Sequence, residues 1–468
     1  MAGSTLVFGR AMDATDLCFA GAAEQARLVA AGDVSARELV EASLDRIWQA
    51  DPQVNAFRVV LAHRALTEAD QADARRGAGD RRPLLGVPVA IKDDTDVAGE
   101  VTAWGSLSHG GPRERDADVV RALREAGAII IGKTHVPELT IFPFTESLAF
   151  GATRNPWSLD HTPGGSSGGA GAAVATGMAG AALGSDGGGS IRIPAAFCGL
   201  FGIKPQRDRI SLGPQREIWH GLGVYGPLAR RVADAALFLE AAAGGGGFVE
   251  AAARVPGRLR VAVSTKLPPG VLARLGGEQR RAVQETAELL RSLGHDVAER
   301  EIDYGPTAWP NLVARYLRGI HDDARRVEHP ARLEPRTRAM ARLGALVPAG
   351  QVARARAAEE ALAARINAIF DHADVVLTPG PSGPPFRVGQ FHGRGALWTL
   401  NAITARVPYY GVFNVTGQPA ASVPAGFDDQ GLPLAVQLVG RPGDEATLLS
   451  LAAQIEHARP WADRRPEP

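Results

Sequence analysis

Between Gly164 and Gly189 the chain is dominated by glycine, alanine and serine. Residues this small let backbones approach one another closely, and glycine admits turns that other residues resist. An alanine-rich periodicity runs through the stretch, so it is not a flexible linker. Its longest small apolar run, Ala170 to Gly184, has 15 residues, short of the roughly 20 needed to span a membrane.

Strands and helices alternate around this stretch, which predicts an α/β architecture in one large domain, residues 1–468. Residues 22–50 carry apolar positions at helical spacing, with Asp33 or Ser35 able to cap the second helix. Residues 84–91 (LLGVPVAI) predict a buried strand ending at Lys92. A helix is expected over 118–126 and another buried strand over 128–131. Residues 275–298 and 311–370 read as helical, 375–378 as a strand and 379–385 as a loop. Two further strands are expected at 420–424 and 435–439, with a helix from about Glu445.

Composition narrows the function classes. Net charge is zero over 468 residues, so no basic field is offered to nucleic acid or anionic lipid. A small neutral or locally charged molecule is the better partner. Two cysteines, Cys18 and Cys198, are too few for a disulfide framework. Met1 to Ala20 lacks the basic start and apolar run of a signal peptide, so a soluble, cytoplasmic protein is expected. Of 51 basic residues only four are lysines: Lys92, Lys133, Lys204 and Lys266. Arginine keeps its proton in proteins, whereas a buried lysine can lose it. A lysine kept inside an apolar run is a candidate for chemistry.

Three motifs compete. GAIIIGKT, Gly127 to Thr134, matches the phosphate-loop pattern letter by letter. Its intervening residues, Ala128 to Ile131, are themselves strand-like, and Pro137 would disturb a phosphate-capping helix, so a buried strand followed by a turn is preferred. Gly164 to Gly168 (GGSSG) matches the nucleophile elbow of α/β-hydrolases, with Ser166 as the nucleophile. An elbow needs a β-branched strand before it, and here a turn-rich stretch and Thr162-Pro163 precede. The third motif pairs two serine loops with a lysine. Three glycines before Ser190 can turn backbone amides toward one point, as an oxyanion hole requires. A second serine hydroxyl can pass a proton on, and a neutral lysine can accept it. Bringing a lysine from about 10.4 to about 7 costs roughly 4–5 kcal/mol, within reach of burial. The blander reading of Lys92 is a salt bridge to Asp93, Asp94 or Asp96.

Together these segments resemble the amidase signature family. GVPVAIKDD, Gly86 to Asp94, is similar to that family's lysine segment. The 44 residues from Thr162 to Pro205 are similar to its whole Gly/Ser-rich signature. GAIIIGKTHVPE and NPWSLD also resemble family segments, and the similarity covers most of the chain. The resemblance implies a Ser–cis-Ser–Lys triad: Ser190 as nucleophile, Ser166 as a bridging serine in a cis bond to Gly165, and Lys92 as base. It implies an oxyanion hole from the amides of Gly187, Gly188, Gly189 and Ser190. Ser167 would support the relay, and Asp186 and Arg192 would brace the loop. The implied fold is a single α/β/α sandwich around a large, mixed, twisted sheet. Helices at about 22–75 would lead into a catalytic core at 84–240. A helical cap-like segment at 305–370 and closing strands and a helix at 375–460 would follow. Two departures stand out. Gly187 replaces a commonly larger residue, which would loosen the oxyanion loop or make room for a bulky acyl group. Asp94 stands where asparagine is common, and an adjacent anion raises a lysine pKa.

The implied activity is hydrolysis of a carboxylic amide, aryl or alkyl, through an acyl-Ser190 intermediate, with esters also possible substrates. The alternatives within the family are carbamate (urethane) hydrolysis on the same triad and the role of an amidotransferase-type subunit. No metal or organic cofactor is expected, since the eleven histidines show no zinc-site spacing. The expected partner is a small amide, ester or carbamate, with no nucleic acid or membrane, and the expected state is a monomer or homodimer. Specificity would come from 143–150, 215–225 and 382–413, with Phe144, Tyr225, Trp398, Tyr409 and Tyr410 as candidate pocket residues.

Overall fold

Short apolar runs become strands in the computed structural model, which describes residues 13–468. The reading made of Met1 to Ala20 falls, up to Met12, outside those residues. In chain order the strands are β1 (Phe57–Val60), β2 (Pro88–Lys92), β3 (Ile129–Thr134), β4 (Glu146–Ser147), β5 (Gly151–Ala152) and β6 (Ala181–Asp186). There follow β7 (Phe201–Lys204), β8 (Val224–Ala229), β9 (Arg260–Val263), β10 (Asp296–Glu299), β11 (Val375–Pro379), β12 (Ala420–Phe427) and β13 (Pro433–Gly440). Among the described residues, 11 strands form one sheet in the order β1-β3-β2-β6-β8-β7-β12-β13-β11-β9-β10. The sheet is mixed. β2 runs parallel to β3 and β6, and β9 runs parallel to β10 and β11. The other neighbours are antiparallel.

Side chains alternate across a strand, and both faces of this sheet are apolar. Val89 and Ile91 of β2, Ile130 of β3, Leu183 of β6 and Leu377 of β11 point to one face. There they meet the helices Asp118–Glu125, Val232–Ala243, Gly277–Ser292 and Glu445–Ala458. Ala90, Ile131 and Ala182 point to the other face, under the helices Ala36–Val54, Ala62–Gly77 and Gly168–Ala175. Further along that face Val376 and Val439 pack with the helices Ala308–Arg326 and Pro335–Ala345. The result is the expected three-layer α/β/α arrangement in one domain. The Gly/Ala/Ser stretch supplies the helix Gly168–Ala175 and β6, every residue of both buried.

Several local expectations change. Ser35, not Asp33, caps the helix Ala36–Val54, forming a capping box with Glu38. Residues 275–298 split into the helix Gly277–Ser292 and the edge strand β10. The span 311–370 is broken into successive helices, three of which have Pro330, Pro335 and Pro348 at their starts, because proline is best tolerated at the beginning of a helix. β3 runs on through Gly132, Lys133 and Thr134, so GKT is strand and not a phosphate loop.

Candidate active site

β2 and β6 lie side by side and parallel, Ile91 opposite Leu183, so Lys92 and Asp186 end at the same edge of the sheet. Sites in such sheets gather beyond the carboxyl ends of the strands. Lys92 is wholly buried there. Its Nζ donates to Ser166 Oγ and to Ser185 Oγ, each at 2.7 Å, and lies 3.2 Å from Asp94 Oδ2. Ser185 Oγ donates in turn to Asp94 Oδ2 at 2.5 Å. Burial pushes the Lys92 pKa below the usual lysine range, and the Asp94 carboxylate opposes it. Of the three acids weighed as partners, only Asp94 pairs with Lys92. Asp93 pairs with Arg58 and with Lys133, the latter at 2.9 Å. Asp96 lies 3.2 Å from Arg113.

The two serine loops meet over this lysine. The Gly165–Ser166 bond is cis. Ser166 is buried, whereas Ser190 borders an open cavity. No strand lies between Ala152 and Ser166, so the nucleophile-elbow reading lacks its strand. Ser167 links the loops: its amide donates to the Ser190 carbonyl at 3.2 Å, and its Oγ donates to the Ser185 carbonyl at 3.2 Å.

Asp186 organises the loop that carries Ser190. Its carboxylate receives the amides of Gly189 at 2.6 Å and Ile191 at 3.2 Å, and both Nε and Nη2 of Arg192 at 3.0 Å. Burial alone would raise this carboxyl, yet Arg192 and Asn414 hold it far below the usual carboxylate range. Arg192 Nη1 also donates to Gln437 Oε1 at 2.7 Å, and Asn414 Nδ2 donates to the Asp186 carbonyl at 2.7 Å. The Gly189 amide was expected among the oxyanion donors, but it is turned inward to Asp186. The amides of Gly187, Gly188 and Ser190 have no protein acceptor among the described residues, and all three residues line the cavity.

That cavity is open to solvent, with about 650 Å³ of space between its walls and its mouth. Its walls are Thr140 to Pro143, one side of the helix Ala308–Arg326, one side of the helix Ala396–Arg406, and Trp219. Among the described residues no Asp, Glu, Lys, Arg or His lines it. The segments expected to shape it do contribute, through Pro143, Trp219 and Leu400. The five aromatics chosen from them do not. Phe144 is stacked between Phe142 and Phe391, with ring centroids 4.9 and 4.2 Å away. Tyr225 lies on β8 and packs into the core on the opposite face of the sheet. Trp398 faces outward under Arg394. Tyr409 donates its hydroxyl to the Thr265 carbonyl at 3.1 Å, and Tyr410 lies beneath the Arg192 guanidinium. In each case the ring is used for packing. The space beside Gly187 is not free for substrate either, since the Trp219 ring occupies it.

Sequence reading passed over Ser185, Asn414, Gln437 and Trp219. Asn414 and Gln437 carried a usable signal: each is a lone polar residue in an apolar run, VFNVT and LAVQLVG. A buried amide of that kind must find partners, and these two find Asp186 and Arg192. Among the described residues no group of three or more His, Cys, Asp or Glu is placed to hold a metal ion. None of the helices described is long and apolar enough to cross a membrane.

Comparisons with known proteins agree on one family. The family model described as Amidase matches residues 38–449. "Putative amidase AmiB2" of Mycobacterium tuberculosis is 59% identical over 459 residues, spanning 97% of this chain and 99% of the relative. A glutamyl-tRNA(Gln) amidotransferase subunit from a Synechococcus strain is 35% identical, over 93% of this chain and 96% of that protein. Among solved structures, 6-aminohexanoate cyclic dimer hydrolase superposes with a TM-score of 0.86 at 31% identity, covering 96% of this chain and 99% of that one. A bacterial aryl acylamidase of the amidase signature family gives 0.83 at 26% identity, covering 95% and 97%. The matched region contains both serine loops and the lysine strand that meets them, and on that whole-length likeness the chain belongs to the amidase family, hydrolases of carbon–nitrogen bonds.

Proposed function

We propose that this amidase hydrolyses small, neutral, apolar carboxylic amides, aryl or alkyl, through an acyl-Ser190 intermediate. The observation that carries the reading is the 2.7 Å contact from buried Lys92 to Ser166, whose neighbour Ser167 donates its amide to the carbonyl of Ser190, a residue that borders an uncharged cavity. In its neutral form Lys92 has a lone pair for the Ser166 proton, and Ser166 can then take the proton of Ser190. Ser190 Oγ attacks the carbonyl carbon. The developing oxyanion meets the amides of Gly187, Gly188 and Ser190, each worth about 10²–10³ in rate by analogy with other such donors. The proton on Lys92 returns through Ser166 to the leaving amine as the C–N bond breaks. Water then attacks the Ser190 ester, giving its proton to the same relay, and the acid departs with Ser190 restored.

The test is a hydrolysis screen of apolar amides, anilides, esters and carbamates, with Ser190→Ala as control. Ser190-dependent anilide cleavage is expected, with esters and carbamates as the arms that measure acyl-group tolerance. Lys92→Ala should lower kcat/KM on anilides by about 10²–10⁴, the usual worth of a positioned base. Activity unchanged in Lys92→Ala would rule the lysine out as base.

A further inference from the structure

Trp219 stands where the Ser190 loop, the cavity and the helix Ala308–Arg326 meet. Its φ is +46°, and His220 follows at +56°. That left-handed region is costly for bulky residues and persists only where the surroundings over-determine it. Here they do. The indole N–H donates to Asp323 Oδ2 at 2.9 Å. Tyr316 meets the ring edge-on, with centroids 5.2 Å apart. Two glycines far apart in the sequence leave space for the ring. A Cβ at Gly187 would lie 2.7 Å from Trp219 Cε3, and one at Gly319 would lie 2.6 Å from Trp219 Cδ1. Gly319 is in the interior of a helix, where glycine is unfavourable. Its presence there has a packing reason, which is the indole.

The ring so held forms one wall of the cavity that Gly187, Gly188 and Ser190 border. In an acyl-Ser190 mechanism the acyl group stays bonded to Ser190 through both steps, so it is the part of the substrate this cavity must house. We propose that Trp219 sets the size limit of the acyl pocket, restricting the enzyme to slim, neutral, apolar acyl groups. The inference rests on the acyl-Ser190 reading and adds the residue that selects the substrate. Gly187 belongs to it: its missing side chain accommodates the tryptophan and not a larger acyl group.

The experiment compares slim and bulky probes. Ser190 is labelled with n-butyl and naphthylmethyl fluorophosphonates, and kcat/KM is measured on p-nitroanilides of matching acyl size. Trp219→Ala should raise the bulky-to-slim ratio in both assays by about tenfold or more, the scale on which an apolar pocket discriminates. Trp219→Phe should raise it less. Gly319→Ala crowds the ring at Cδ1, away from the Cε3 edge that meets Gly187, and should lower it. If Trp219→Ala does not fold, Trp219→Phe and Gly319→Ala decide. An unchanged ratio in the folded variants, with Ser190 still labelled, overturns the role of Trp219 and leaves the acyl-Ser190 reading standing. Absence of labelling at Ser190 in the unmodified chain overturns both.

Discussion

Lys92 sits between opposing influences, and a single substitution separates them. Burial favours its neutral form, while the Asp94 carboxylate 3.2 Å away favours the ammonium. In the proposed mechanism Lys92 acts as a neutral base, so activity is expected to fall as pH drops through the Lys92 pKa. Asp94→Asn removes the charge and lowers that pKa. The acid limb of the kcat/KM profile on an anilide should therefore move to lower pH. A limb that does not move would mean that Asp94 does not tune the base. Asp186 is the second residue with a defined cost. Its carboxyl is held below the usual range, so its stabilisation is present above the unfolded-state value of about 3.9 and is lost as pH falls below it. Asp186→Asn leaves the Arg192 guanidinium buried without its anion, which should cost about 3–5 kcal/mol. Urea unfolding checks this, and an unchanged midpoint would refute the bracing role. At this scale Lys92 was legible because lysine is scarce in an arginine-rich chain. Its choice of Asp94 over Asp93 was not, because Arg58, from a distant strand, had to claim Asp93 first.

At the scale of elements, legibility followed length and punctuation. The helix Ala36–Val54 announced itself through its apolar spacing and a cap candidate in Ser35, and β2, β3 and β13 through their apolar runs. β1, β7 and β9 were missed because four residues leave little room for a period, and the six-residue β6 and β8 because glycine, alanine and proline dilute their apolar pattern. Gly132 illustrates how a motif misleads. In GAIIIGKT it mimics a phosphate loop, but in β3 it is glycine because β1 passes close by. A Cβ there would lie 2.5 Å from the Val59 carbonyl oxygen. Gly132→Ala should thus destabilise the chain by about 1–3 kcal/mol through overpacking. A thermal melt measures this, and ATP should leave the unmodified chain's melt unmoved. A harmless Gly132→Ala, or stabilisation by ATP, would reopen the phosphate-loop reading.

In the molecule as a whole, one sheet carries the site from both halves of the chain. β12 is inserted between β7 and β13, and β11 between β13 and β9. Gln437 of β13 and Asn414 reach back to Arg192 and Asp186. A chain ending at Asp374 would lose three central strands and leave β7 with an open edge. It should be insoluble and show no fluorophosphonate labelling at Ser190. A soluble, labelled fragment of that length would contradict the single-sheet account. The α/β class and the family were determined by the sequence itself, because glycines, serines and a lone lysine within local segments restrict what those segments can do. The pocket was decided only by tertiary structure. Its walls come from Thr140, Trp219, Trp309 and Leu400, residues far apart in the chain. An aromatic ring reads the same in a sequence whether it packs in the core, as Phe144 and Tyr225 do, or faces a cavity, as Trp219 does. Which it does depends on what surrounds it, and here that was two distant glycines and one aspartate.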